Sequence, residues 1–153
     1  MKYTLILLAI NLLLSFTAFT QVTFTGYLVD ADEKKIKNVE VNLYQGNEKL
    51  STKNWDKKFD YNLELEKYYT IELVKEGFIS KRIAISTFEG DKGVEPFMFV
   101  MELVATEKGI KGMDEDYPSA LIKYKKDEGS FNFDIQYAKN IKREEKAAKK
   151  KKN

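Results

Sequence analysis

Between residues 58 and 86 apolar side chains fall on every second position, in two runs joined by a turn: Phe59, Tyr61 and Leu63, then Tyr69, Ile71 and Leu73. Lys75-Glu76-Gly77-Phe78 closes the second run, and Ile79, Ile83 and Ile85 follow. A period of two gives one dry face and one wet face, which a strand provides and a helix does not. Such strands must lay their dry faces against another layer, so the pattern predicts an antiparallel sandwich rather than a helical bundle. At 153 residues the chain suits one domain, which on folding buries roughly two thirds of its extended surface. Its 10 Phe and 9 Tyr against 8 Gly and 2 Pro describe a packed core and not a low-complexity segment.

Seven strand candidates follow one another: Val22 to Asp30, Val39 to Gln45, Lys49 to Asn54, Lys58 to Leu65, Tyr68 to Lys75, Ile79 to Ser86, and Glu95 to Val104. Turn residues separate them at Asp30-Ala31-Asp32, Gln45-Gly46-Asn47, Asn54-Trp55-Asp56, Glu76-Gly77 and Glu89-Gly90-Asp91. Short strands at this spacing predict a two-sheet sandwich. Val39, Val41 and Leu43 should face its core, and so should Phe97, Phe99, Met101 and Leu103.

Both ends differ from the middle. Lys2, the apolar stretch Leu5 to Leu14 with Phe16, and Ala18-Phe19-Thr20 read as an export signal over residues 1–20, cleaved before Gln21. An uncleaved anchor is the competing reading, but the run is short for a membrane span and Asn11 and Ser15 interrupt it. Residues 105–119, with Gly109, Gly112, Asp114-Glu115-Asp116 and Pro118, have no periodicity and read as a connector. Within 120–153, Ala120, Ile122 and Tyr124, the turn Asp127-Glu128-Gly129, and Phe131 with Phe133 predict a small hairpin or added edge pair. A helix should then begin near Asp134 and run toward Lys150, with Phe133, Tyr137, Ile141 and Ala148 on one stripe. Tyr137 and Ile141 are its candidate interface, either docked on the sandwich or offered to a partner.

Charge divides along the same line. Residues 21–138 carry 17 Lys and Arg against 22 Asp and Glu, and residues 139–153 carry 8 against 2. The tail cations, Lys142, Arg143, Lys146 and Lys149 to Lys152, suit the negative end of a helix and would make weak contact with an anionic membrane surface. An exported chain gives nucleic acid no role as partner.

Residues 22–86 resemble the carboxypeptidase regulatory-like domain, a transthyretin-like sandwich found beside metallocarboxypeptidase catalytic units and repeated in bacterial envelope proteins. The resemblance rests on Gly26 followed by an acidic turn, Ile36-Lys37-Asn38-Val39-Glu40-Val41, Asp56-Lys57-Lys58-Phe59, and Tyr69-x-Ile71-x-Leu73-x-Lys75-x-Gly77-Phe78. It implies a mainly β, seven-strand antiparallel Greek-key fold over 21–104, to which the hairpin and α-helix are added. This chain departs from the family where glycine is usual: Asp32-Glu33-Lys34 fills the first acidic turn, Asn38 precedes the second strand, and Lys57 precedes the aromatic of the fourth. Those turns are expected to be remodelled or lengthened. The family supplies architecture and no chemistry, so no catalytic residue follows from it.

The residue inventory narrows chemistry further. Without His or Cys, the chain lacks the usual general base, the commonest metal ligand and a thiol nucleophile, and it cannot form a disulfide. Carboxylate pairs or a Lys-activated Ser remain, with no diagnostic spacing. The acids at 30–33 and 114–116 lack an EF-hand pattern and read as solvated turn residues. Neither a metal, a cofactor nor an enzyme is expected. Binding would fall to aromatics: Trp55 at a predicted turn, with Tyr44 and Tyr68, like Tyr27, on faces opposite the core rows. Trp55 folded over an open end of the sandwich is the alternative for that residue. The expected function is a non-catalytic module that scaffolds or binds another envelope component. It would be exported to the periplasm or cell envelope of a Gram-negative bacterium, or secreted. The alternative is a carbohydrate- or peptidoglycan-binding domain using the loop aromatics.

Overall fold

The alternating rows become strands that change layer repeatedly. The computed structural model describes residues 21–90, 93–106 and 117–151. Its strands are β1 (Gln21–Val29), β2 (Val39–Gln45), β3 (Glu48–Trp55), β4 (Lys58–Glu64), β5 (Tyr68–Val74), β6 (Lys81–Ser86), β7 (Phe97–Glu102), β8 (Ala120–Lys125) and β9 (Ser130–Phe133). The helix α1 (Ile135–Lys151) follows. They form a three-stranded sheet in the order β4-β1-β7 and a six-stranded sheet in the order β3-β2-β5-β6-β8-β9. The fold is mainly β and sandwich-like. The expected export signal and the acidic run 114–116 lie outside the described residues.

Both sheets are mixed, which corrects the all-antiparallel expectation. β7 pairs with β1 in parallel, and β8 pairs with β6 in parallel, while the remaining pairs are antiparallel. A period of two sets which face a side chain takes and leaves open which strand lies alongside. The C-terminal hairpin is present as an added edge pair that extends the six-stranded sheet beyond β6.

The core lies between the layers. Phe24, Phe59, Ile71, Leu73, Ile83, Ile85 and Ile122 are fully buried, each side chain contributing about 1.5–3 kcal/mol on leaving water. Aromatic rings join the sheets: Phe24 meets Phe131 edge-on at 5.0 Å, and Phe133 meets Phe97 at 5.9 Å and Phe99 at 6.1 Å, while within the smaller sheet Phe59 meets Phe99 at 6.0 Å. Gly26 is required in β1 because the Phe59 ring occupies the space where a β-carbon would stand. Phe133 therefore ends β9 and packs against the opposite layer, and does not share the helix stripe with Tyr137.

Three of the turns keep a left-handed backbone without glycine. Glu33, Asn38 and Lys57 have φ of 60°, 52° and 66°, at the positions where the family resembled in sequence carries Gly. Hydrogen bonds hold them: Lys57 N–H donates to the Ile36 carbonyl at 2.8 Å, Asn38 N–H to Asp56 Oδ1 at 2.7 Å, and Asp30 Oδ1 accepts from Asp32 and Lys34 N–H, both at 2.9 Å. The acids at 30–33 thus include one that builds its own turn.

Helix α1 begins where expected. Asp134 caps it, Oδ1 accepting from Gln136 and Tyr137 N–H at 3.0 and 3.1 Å. Lys123 of β8 sits 2.8 Å from the other carboxylate oxygen, and Tyr137 Oη donates to the Pro118 carbonyl at 2.7 Å. Its first turns are therefore tied to the sheet edge. Tyr137, Ala138 and Ile141 are half-buried. The Ala148 side chain and those of Lys146 and Lys149 to Lys152 lie outside the described set. Among the described residues no helix is long and apolar enough to cross a membrane.

Candidate binding face on the six-stranded sheet

The positions that alternate with the core rows form the outer face of the larger sheet. Its registers set Thr52 beside Asn42, Asn42 beside Glu72, and Glu72 beside Arg82, so one polar row crosses β3, β2, β5 and β6. Thr52 Oγ1 donates to Asn42 Oδ1 at 2.6 Å, and Asn42 Nδ2 donates to Glu40 Oε1 at 3.0 Å and Glu72 Oε2 at 3.2 Å. Tyr44 Oη donates to Glu72 Oε2 at 2.9 Å, while Arg82 Nε and Nη2 donate to Oε1 at 2.9 and 2.7 Å. Charge-assisted bonds of this kind are the strong ones. Burial raises the Glu72 pKa, but the hydrogen bonds from Arg82, Tyr44 and Asn42 and the Arg82 charge outweigh it, so the carboxyl titrates below its ordinary range.

Beside this row lies a shallow depression of about 290 Å³ lined by Tyr44, Gly46, Asn47, Thr70, Arg82 and Pro118. Gly46, with φ of 57°, turns the β2–β3 hairpin at its rim. Tyr68, further along the same face of β5, stacks obliquely on Phe88 at 4.7 Å, and the two rings remain 64% and 40% exposed. Donors, acceptors and bare aromatic surface therefore adjoin on one open face.

The aromatics singled out by sequence are divided by the fold. Tyr44 and Tyr68 share this face. Trp55 does not: it is the last residue of β3, paired with Val39 at the far end of β2, and turns toward the core against Tyr61 at 6.2 Å. The turn expected at Trp55 begins one residue later. Its Nε1 is buried without a hydrogen-bond partner among the described residues, and Lys53 Nζ lies 6.0 Å from the ring. Trp55 covers one end of the core. Tyr137 and Ile141 belong to the helix at β8, away from β2.

Sequence reasoning missed Asn42, Glu72 and Arg82, which look like ordinary wet positions until strand order is known. Their outward phase opposite Val41, Leu43, Ile71 and Ile83 is the only signal the sequence offers.

Two further carboxyls among the described residues are, like Glu72, shifted downward. The hydrogen bond from Thr25 holds the Asp60 carboxyl below its ordinary value, and the one from Lys123 does the same for Asp134. With Glu72, these are carboxylates held as anions, the reverse of a general acid kept protonated near neutrality. Among the described residues no group of acids is gathered as a metal site would require.

Comparison with known proteins gives distant similarity to β-sandwich proteins. Catechol 1,2-dioxygenase from Acinetobacter, solved with bound mercury, superimposes with a TM-score of 0.40 at 12% identity, covering 67% of this chain and 57% of that one. A DUF3823 family protein from Parabacteroides merdae gives a TM-score of 0.36 at 14% identity, covering 67% and 48%. This chain thus spans about half the length of those chains. No protein-family model matches the chain, and no curated protein matches it.

Proposed function

We propose that this chain is a non-catalytic exported module that binds another component of the cell envelope through the outer face of its six-stranded sheet. The observation that carries this reading is the polar depression between Tyr44 and Arg82 lying beside the exposed Tyr68–Phe88 pair. Exposed rings next to ordered donors and acceptors are what protein anchors use. The left-handed turns at Glu33, Asn38 and Lys57 support a carboxypeptidase regulatory-like, transthyretin-like Greek key as the scaffold. The pattern of residues 1–20 supports export to the periplasm or cell envelope of a Gram-negative bacterium. The basic last turns would add weak contact with anionic lipid.

A photo-crosslinking side chain at position 68 tests the proposal in the producing cell. One defined envelope component should be captured there, and Thr70→Arg, which fills the depression, should abolish capture. Capture that is absent at 68, or indifferent to Thr70→Arg, removes the face from consideration.

The exposed Tyr68 ring also favours a second reading, a carbohydrate or peptidoglycan site, since aromatic faces stack on sugars. Trp55 fluorescence is a poor reporter of it, because Trp55 faces the core at the other end of β2. Amide shifts at Tyr68 and Thr70 on titration with peptidoglycan fragments would mark a glycan site; shifts confined elsewhere, or none, leave the protein-binding reading.

A further inference from the structure

We propose that the open edge of β7 is the pairing site for a second copy of this chain, joined antiparallel about a two-fold axis at Phe99. This surface belongs to the three-stranded sheet and is independent of the face discussed above.

β7 pairs with β1 on one side, and among the described residues no strand occupies its other side along Phe97–Glu102; just beyond, that side is taken by Phe78, which bridges Ala105, and by Ile79 N–H, which donates to the Val104 carbonyl at 2.9 Å. Successive residues of a strand direct their backbone groups to alternate edges. Leu103 N–H donates to the Val29 carbonyl at 2.9 Å, so the odd residues Phe97, Phe99 and Met101 serve β1. Met98, Val100 and Glu102 therefore address the open edge. The Glu102 carbonyl accordingly turns away from β1, where Lys81 Nζ donates to it at 2.6 Å. Among the described residues this leaves unpaired both backbone groups of Met98 and Val100, the N–H of Glu102 and the carbonyl of Pro96, which has no N–H.

An antiparallel pair about Phe99 satisfies the backbone groups of Met98 and Val100. Met98 and the partner's Val100 exchange N–H and carbonyl in both directions, and the symmetric pair does the same across the axis. One step out, Glu102 meets the partner's Pro96. There the pairing stops, because proline has no N–H to offer and its ring would meet Lys81 Nζ, which holds the Glu102 carbonyl. Sliding the axis to Val100 would instead make Met98 N–H share the Glu102 carbonyl with Lys81, so the Phe99 register is the one in which no bond is shared.

The side chains agree. Met98 and Val100 are 65% and 62% exposed on the outer face, and Tyr27, 37% exposed, lies beside Val100 in β1. Pairing sets Met98 over the partner's Val100, a direct cross-strand contact that covers this apolar strip. No like charges oppose one another in that register. An apolar edge whose middle carries no charge is otherwise a liability in a free monomer.

The chain as purified from its producing cells should show a concentration-dependent monomer–dimer equilibrium by sedimentation. Val100→Lys, at an exposed position, should weaken it at least tenfold. Because the chain has no Cys, Met98→Cys and Val100→Cys report the register: opposite residues of a hydrogen-bonded pair lie about 5.5 Å apart, within disulfide reach. An equimolar mixture of the two variants should form interchain disulfides faster than either alone, which keeps the test intact if Val100→Lys fails to fold. A chain that is monomeric up to about 1 mM overturns the proposal. So does a dimer that ignores Val100→Lys, or a mixture that crosslinks no faster than the single variants.

Discussion

Strand β3 closes one end of the six-stranded sheet with Lys49, Leu50, Thr52, Lys53 and Asn54 in water, whereas β7 ends the three-stranded sheet with Met98 and Val100 exposed and no charge before Glu102. β3 is held by its polar row, Thr52 to Asn42 to Glu72, and by Trp55 at its end. β7 is held by rings, Phe97 and Phe99 against Phe133 and Phe59. Lysines on an edge strand keep other strands away because pairing would bury them. The same position can thus be defended by charge or left available, and the residues facing water decide which.

The contrast is broken most sharply at Phe99. Phe99→Ala should cost about 3–5 kcal/mol of unfolding free energy, since it empties a ring site shared by both layers, while Lys53→Ala should change it by less than about 0.5 kcal/mol. Chemical denaturation measures both, and equal losses would mean that β3 carries core packing after all. Asn42→Ala comes next. It strands Thr52, Glu40 and Glu72 without the amide they share, and about 1–3 kcal/mol should be lost, with amide exchange in β3 accelerating more than in β7.

Acid should separate the two strands in the same sense. The folded Glu72 pKa lies below its unfolded value, so its contribution is present above the unfolded pKa and disappears as pH falls through the folded one. Thermal melts across that acidic window should fall for the natural chain and stay flatter for Glu72→Gln; parallel curves would show that the row carries no linked proton. Lys57→Gly, in the turn by which the chain leaves β3, should gain about 0.5–1 kcal/mol by relieving a left-handed backbone. The smallest stability change belongs to the double variant Lys49→Val with Lys53→Val, within about 0.5 kcal/mol. Its readout is association: sedimentation should reveal new oligomers through β3, and their absence would mean that lysine is not what keeps that edge single.

Much of this architecture could be read from residue order. The inward rows Val39, Val41, Leu43 and Phe59, Tyr61, Leu63, the hairpin at Gly129 and the cap at Asp134 follow from alternation and local turn chemistry, which act within a few residues. The parallel neighbours β1 with β7 and β6 with β8 do not, because any strand with the right phase could have filled either place. The candidate face was half legible for the same reason. Tyr44 and Tyr68 announce themselves as aromatics out of phase with the core. Asn42, Glu72 and Arg82 become one network only when β2, β5 and β6 lie side by side. Trp55 was misplaced because Asn54 and Asp56 resemble turn residues, while its phase with Val39 places it inward.

The seating of β8 beside β6 also sets an order in time. β6 and β7 leave the ribosome before β8, so the growing polypeptide holds Ile83 and Ile85 with one flank unpaired and Phe24 without the Phe131 ring. Such half-built sheets stick to one another. A growing chain therefore has that flank to shield until Phe131 has emerged, and translation halted before Ala120 would release a sticky fragment in place of a smaller working domain.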